Sequence, residues 1–370
     1  MSKSRIYADH AATTQLSPAA LDAMLPFLRG DFGNPSSLHS WARGPREAVQ
    51  KAQATIAECM GAEPEEIFFT SGGTESDNWV IKGTRGGVMV SVYEHHAVLN
   101  AVASEASLGR KVVYARPEVG GYLLPATLAK CWTDGLGLVS IMTANNEIGV
   151  VNPIQDLAEM AHRRGALFHT DAVQAIGHIP LDVRKTGVDF LSASAHKFNG
   201  PRGVGFLFAR KGAKIRPLMN GGQQESGMRA GTENVASIVG MAKALEVNCA
   251  AIRENTAHLV TLVERFRNGV RLFCPGAIYL GADDAKRLPG FISIAFPGHS
   301  GEGLMHMLDL KGIAVSTGAA CDSKNTQVSH VLEAIDAPQP VAESTIRITL
   351  GPENTAEEVD AILAALRCLL

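Results

Sequence analysis

Val188-Asp189-Phe190-Leu191-Ser192-Ala193-Ser194-Ala195-His196-Lys197 begins as an apolar run and ends in two hydroxyls, an imidazole and a lysine. The run from Val188 to Leu191 reads as a buried strand. A lysine at its end is costly to bury as a bare ammonium, so it needs either a partner or a covalent use. Six more apolar runs of the same kind lie around it: IFFT (67–70), VMVSVY (88–93), KVVYA (111–115), LVSIM (138–142), ALFH (166–169) and GVGFLFA (203–209). Helical patterns alternate with them at Glu75 to Lys82, His96 to Ser107 and Ile154 to Arg164. This alternation predicts an α/β fold, with a mainly parallel seven-stranded sheet flanked by helices. In such sheets ligands bind beyond the carboxyl ends of the strands, which is where the polar end of the opening stretch falls.

Beyond Arg210 the texture changes. A long helical stretch runs from about Asn234 to Gly269, followed by the strand candidates FISIAF, IAVST and TIRITL and a last helix from Thr355 to Leu369. The expected division is a large domain over residues 16–255 and a smaller α+β domain built from 1–15 and 256–370, with the long helix joining them. Among the 370 residues, 46% are hydrophobic and 19% charged, which fits a globular chain with a substantial core. The net charge of -3 and the scattered basic residues give no electrostatic footprint for nucleic acid. The start MSKSRIYADHAATT has no apolar signal core and no uninterrupted apolar stretch is long enough to cross a bilayer, so no membrane partner is expected and the expected compartment is the cytoplasm. Six dispersed cysteines without CxxC spacing fit a reducing compartment.

Each strand-end segment of the first domain carries unusual polar residues. Thr70-Ser71-Gly72-Gly73-Thr74-Glu75-Ser76 follows one strand and opens a helix, so its glycines and free N–H groups suit a phosphate, although Ser/Thr-x-x-Glu is also an ordinary capping box. In His169-Thr170-Asp171-Ala172-Val173-Gln174 an acid ends a strand. Asp171 suits either a helix cap or the pairing of a carboxylate with a protonated ring nitrogen. Gln174, three positions on, would reach a ring oxygen if the segment turns helically. Lys197 follows beyond the next strand, with Ser194 and His196 beside it. Glu94-His95-His96 offers an imidazole for stacking, and Asn145-Asn146-Glu147 supplies amides at another strand end. Glu94, the two histidines and the distant His169 are also metal-ligand types, but HExxH and other recognised spacings are missing, so no metal is expected. An acid, a lysine and a phosphate cradle on one rim together meet the needs of pyridoxal 5'-phosphate, an aldehyde cofactor that acts as an electron sink.

The chain resembles the class V, fold-type I pyridoxal-phosphate enzymes and, among them, the NifS/IscS-like cysteine desulfurases. The matching phrases are YADHAATT, FGNPSSLH, TSGGTESDN, EHHAVL, NNEIG, HTDAVQ, SAHK, GGQQESGMRAGTEN, STGAACDS and STIRITLG, in order along nearly the whole chain. The resemblance implies a phosphate held by Gly73, Thr74, Ser194 and His196, with Thr232 supplied by the partner subunit of a homodimer. It implies His95 stacked on the ring, Asn146 and Gln174 at the phenolic oxygen, Asp171 at the ring nitrogen and Lys197 as the Schiff-base lysine. Asn34 and Arg347 would grip the substrate carboxylate, a task for which a guanidinium fork is well suited.

Cys321 separates a desulfurase from other class V chemistries such as selenocysteine lyase or aminotransferase. It lies in the small-residue loop Ser316-Thr317-Gly318-Ala319-Ala320-Cys321-Asp322-Ser323, where the resemblance implies a nucleophile that takes sulfur from L-cysteine as a persulfide, leaves L-alanine, and passes the sulfur to an acceptor protein. His95 would relay a proton to or from that thiol. The loop reads TGAAC where the family commonly has SGSAC, and the anionic Asp322 opposes thiolate formation. The acceptor is open between an iron–sulfur scaffold and the modification of tRNA or DNA.

Overall fold

The protein is represented by a computed structural model that describes residues 5–118, 120–281, 287–317 and 328–370. Strand β1 (Ile6–Tyr7) stands apart at the start of the chain. The next seven are β2 (Ile67–Thr70), β3 (Gly87–Ser91), β4 (Val112–Ala115), β5 (Leu136–Ser140), β6 (Leu167–Asp171), β7 (Phe190–Ser194) and β8 (Gly205–Ala209). They form one sheet in the order β2-β8-β7-β6-β5-β3-β4. Neighbours from β7 to β4 pair in parallel, and only β8 runs against its neighbours β2 and β7. All seven strands expected from the sequence therefore lie in a single mainly parallel sheet.

The sheet is apolar on both faces because helices cover both. Met89, Val139, Phe168, Leu191 and Phe206 enter one core, while their strand neighbours Val88, Val90, Leu138, Phe190 and Leu207 enter another with Trp79. The two-residue period of a strand sends successive side chains to opposite faces, so a doubly covered sheet reads as unbroken apolar runs. The covering helices include α1 (Pro18–Arg29), α2 (Arg43–Met60), α3 (Gly73–Gly83), α4 (His96–Ser107), α5 (Pro125–Cys131), α6 (Ile154–Arg163) and the single turn α7 (Val183–Thr186). The start of α1 is set by Ser17, whose hydroxyl accepts from the Ala20 N–H at 3.2 Å, with Pro18 at the first helical position.

Helix α8 (Val235–Phe273) runs for 39 residues, about 58 Å at the α-helical rise. Its first half, through Ile238, Met241 and Leu245, packs in the main core with α1 and α2. Its second half, through Leu259, Leu262, Phe266 and Val270, fills a separate core. By length and composition α8 is apolar enough to cross a bilayer. Lys243 and Glu246 interrupt the apolar run, and the buried side chains go into the two protein cores. The second core is lined by β10 (Phe291–Ala295) and β12 (Thr345–Thr349), which pair antiparallel, with β9 (Ile278–Tyr279) beyond β10. Strand β11 (Ile313–Ala314), only two residues long within the expected IAVST run, pairs with β1 and so ties the chain start to this unit. Helices α9 (Gly301–Leu310), α10 (His330–Ala334), α11 (Gln339–Ala342) and α12 (Ala356–Leu369) complete it, α12 beginning on a Thr355–Glu358 capping box.

Phe266 is fully buried in this second core. Replacing it with alanine is expected to cost about 3–5 kcal/mol from lost burial and the cavity left behind. Urea unfolding followed by circular dichroism measures this, and a loss under about 1 kcal/mol would mean that the side chain is not close-packed.

Candidate active site

The site lies at the carboxyl ends of β6 and β7. Lys197 ends a short 3₁₀ turn directly after β7. Its Nζ donates to the carbonyls of Ala11 at 2.5 Å and Ala12 at 3.0 Å. Its own carbonyl accepts from His178 Nε2 at 2.8 Å, and the preceding carbonyl, of His196, accepts from the Thr14 N–H and hydroxyl. Gln174 Nε2 donates to the same Ala11 carbonyl at 2.9 Å, so two predicted site residues, 23 positions apart in sequence (197 − 174), meet on one backbone oxygen. The sequence reading did not find Ala11 and Ala12, whose contribution is backbone alone.

Asp171, the last residue of β6, is buried, and its Oδ1 accepts from the Val173 N–H at 2.9 Å. No helix follows directly, so this contact forms a turn and the helix-cap reading of the sequence does not hold. Burial pushes its pKa up, while the charges of His95 and Lys197 pull it back. His95 caps α4, with Nδ1 accepting from the Ala97 N–H at 3.1 Å, which leaves Nε2 as the nitrogen that carries a proton in the neutral ring. Burial lowers the His95 pKa and the Lys197 cation lowers it further, against the opposing Asp171 charge. Lysine, acid and imidazole thus sit within electrostatic reach of one another.

The start of α3 settles the reading of the glycine segment. Gly72 occupies the cap position at φ +147°, and no side chain caps the helix. Glu75, the candidate partner of a capping box, instead accepts from the Ser71 N–H at 2.7 Å and pairs with Arg229 at 2.8 Å. The first N–H groups of α3 are therefore left for a ligand, at the positive end of the helix dipole. A side chain at Gly73 would put its Cβ 2.6 Å from Val173 Cγ2, so glycine lets the helix settle onto the Asp171–Gln174 segment. Gly72, Gly73, Thr74, Ser194, His196 and Arg202 line an open cleft of about 340 Å³. Burial, with Lys197 and Arg202 nearby, lowers the His196 pKa to about 4, which leaves a neutral ring whose Nδ1 lies 3.1 Å from the Thr13 hydroxyl. Neither Arg202 nor Thr13 is among the site residues expected from the sequence, although Thr13 lies in the phrase YADHAATT. Thr232 lines an adjoining cleft that shares Ser71 and Gly203 with the first.

Arg347 is not on an exposed strand. It is buried, pairs with Asp9 at 2.8 Å and donates through Nη1 to the Asn146 carbonyl at 2.7 Å. Strand alternation does place it opposite Ile346 and Ile348, but β12 is enclosed by β10 on one side and by a bridge between Ser316 and Arg347 on the other. Asn34 is exposed, with its side-chain oxygen accepting from the Ser36 N–H at 2.9 Å, and no hydrogen bond joins it to Arg347 among the described residues. Asn145, rather than Asn146, is the buried amide that organises the strand-end turn, through Tyr93, Glu147 and Ile148. His169 is held between Ser140 at 2.8 Å and Ser192 at 3.0 Å. Among the described residues no three metal-ligand side chains gather. Cys321 lies outside the described residues.

The sequence model of the aminotransferase class-V family matches residues 6–362. The chain belongs to that family. It is 44% identical to the cysteine desulfurase IscS of Dictyoglomus turgidum, over 100% of this chain and 95% of that protein. The solved structure of a NifS-like protein superposes with a TM-score of 0.93 at 37% identity, covering 99% of each chain. That of SspA in complex with cysteine superposes at 0.83 and 30% identity, covering 95% of this chain and 100% of that one. The cofactor of this family is pyridoxal 5'-phosphate. The donor set fits it: an α-helix start without a side-chain cap, a cleft with an arginine and hydroxyls for phosphate, a buried carboxyl for the ring nitrogen, and a lysine between them.

Glu94, beside His95, is fully buried and accepts from the Ser91 hydroxyl and the Met142 N–H. Burial raises its pKa to about 8. Because the folded value is raised, its contribution to stability is complete below the ordinary carboxyl range and is lost as pH rises towards 8. Glu94→Gln keeps a neutral group there. Relative to the parent it is expected to gain stability between pH 5 and 8, by at most about 1.4 kcal/mol per pH unit. Urea unfolding at several pH values tests this, and a constant difference would show that Glu94 is ionised when folded.

Proposed function

We infer that this chain is a pyridoxal-phosphate-dependent cysteine desulfurase that converts L-cysteine to L-alanine and passes the sulfur through Cys321 to an acceptor. The observation that carries the reading is the convergence of the Lys197 amine, the Asp171 carboxyl and the uncapped start of α3, in a chain that matches desulfurases along its whole length. When bound, the cofactor supplies an electron sink for the substrate's α-carbon.

The chain's own residues do the rest. Gly73, Thr74, Ser194 and His196 hold the phosphate, and Thr232 of the partner subunit completes that hold in a homodimer. Asp171 would hold the ring nitrogen, His95 would stack on the ring, and Gln174 and Asn146 would address the phenolic oxygen. Lys197 would hold the cofactor's aldehyde, and its amine, once free, would take and return the substrate's α-proton. Arg347 and Asn34 hold the substrate carboxylate. Two of the Arg347 nitrogens are engaged by Asp9 and Asn146, while Nε has no partner among the described residues. Cys321, as thiolate, attacks the substrate sulfur. The S–S bond forms, the C–S bond breaks, and the electron pair left on the substrate β-carbon is protonated to give alanine. His95 Nε2 is the atom that would exchange a proton with the thiol. The switch of α8 from one core to the other between Leu245 and Leu259 supports the division into residues 16–255 and residues 1–15 with 256–370.

Incubation with L-cysteine, followed by intact-mass analysis, is expected to add sulfur to the protein at Cys321 while alanine accumulates. Lys197→Ala should lower alanine formation more than about 10²-fold. Cys321→Ala should retain the absorbance of the bound cofactor yet release no sulfide. Sulfide release from Cys321→Ala at the parent rate would overturn the nucleophile assignment. A purified protein that takes up no pyridoxal phosphate would overturn the enzyme reading itself.

A further inference from the structure

Beneath the site, on the side of the sheet covered by α3, lies a buried polar ladder that the mechanism does not use. His169 of β6 bridges Ser140 of β5 at 2.8 Å and Ser192 of β7 at 3.0 Å. Asp77 of α3 stands beside Ser192, whose hydroxyl pairs with His169, and brings its Oδ1 to 3.6 Å from His169 Nε2. Asp77 is 1% exposed, and that Oδ1 has no hydrogen-bond partner. An orphaned carboxylate oxygen in a dry layer is expensive, and the cost falls when the group is a neutral acid whose proton faces an imidazole nitrogen.

Three charged-type groups surround this one. Asp171 and Glu94 act on Asp77 by like charge, so keeping all three ionised in one dry layer is unfavourable. His169 offers no compensating cation, because burial lowers its pKa to about 3. Burial, followed by the Asp171 charge, raises the Asp77 pKa well above the carboxyl range.

The position of Asp77 gives the ladder a consequence. It lies four residues, about one helical turn, beyond Gly73 at the start of α3. His169 lies two residues before Asp171 on β6, and so on the same face of the sheet. The contact between them registers the helix that presents N–H groups to the phosphate against the strand that presents the acid to the ring nitrogen.

We propose that Asp77 is a positioning residue which, as a neutral acid packed against Ser192 and His169, fixes the spacing between the phosphate cradle and Asp171 and leaves Asp171 as the charge beneath the ring. This rests on the pyridoxal-phosphate reading above.

The test is equilibrium binding of pyridoxal phosphate to the cofactor-free full chain, with the bound cofactor's absorbance titrated against pH. Failure of the parent chain to bind would remove the cofactor reading before any variant is considered. Given parent binding, Asp77→Asn, neutral and of the same shape, is expected to bind within about threefold of the parent and to leave the absorbance midpoint in place. Asp77→Ala is expected to weaken binding about tenfold or more, with the KM for cysteine at saturating cofactor nearly unchanged. If Asp77→Ala does not fold, Ser192→Ala, which deletes one rung, is expected to weaken cofactor binding several-fold while the thermal midpoint of the cofactor-free chain is kept. The proposal is overturned if Asp77→Asn binds as poorly as Asp77→Ala or displaces the midpoint by about a unit or more, since Asp77 would then act as a charge. Parent-like binding by Asp77→Ala, or by Ser192→Ala where Asp77→Ala is unfolded, overturns it equally.

Discussion

Burial of a carboxyl group at the end of a central strand constrains everything around Asp171. A carboxylate so placed is costly unless positive charge or hydrogen-bond donors stand beside it. The chain supplies a backbone N–H from Val173 and the nearby Lys197 ammonium. The same burial turns the neighbouring imidazoles, His95, His169 and His196, towards their neutral forms. A cationic ring nitrogen is the charge that such a site lacks most, and the family's cofactor supplies one when protonated. In the proposed site that pairing would favour the protonated ring nitrogen before any substrate arrives.

The sheet was legible because its physics is local. Strands buried on both faces must be apolar throughout, and each of the seven runs carried that mark into one sheet. The polar strand ends were legible for the complementary reason: Asp171, Ser194 and Lys197 interrupt apolar runs where a core has no use for them. What stayed hidden depends on contacts far apart in the chain. The role of the Ala11 and Ala12 carbonyls leaves no trace in side-chain type. The enclosure of Arg347 stayed hidden because its pairing with Ser316 and its ion pair with Asp9 join distant segments. Helices α1 and α2 went unassigned because attention to polar strand ends says nothing about an amphipathic segment that packs on α8. In TSGGTESDN the residue three before Glu75 is Gly72, so a capping box paired with Glu75 has no side chain at its cap position, and the structure leaves that helix start uncapped.

The N-terminal segment shows how the two cores become one site. Ala8 accepts from the Thr349 N–H, and the Ala11 N–H donates to the Thr349 hydroxyl, so the segment is bound to β12. Asp9, between them, holds the Arg347 guanidinium of the same strand. Two and three residues later the carbonyls of Ala11 and Ala12 hold the Lys197 amine, and Thr14 then binds the carbonyl of His196. Six residues, Asp9 to Thr14, therefore connect the arginine proposed for the substrate carboxylate with the lysine proposed for its α-proton. An amino-acid substrate carries those two groups on one α-carbon, at a fixed separation. A displacement of the small unit relative to the sheet would strain this strap at both ends. The strap thus transmits the position of β12 to the lysine, and the distance that matters for an α-amino acid is set by a short run of backbone rather than by the long helix that joins the cores.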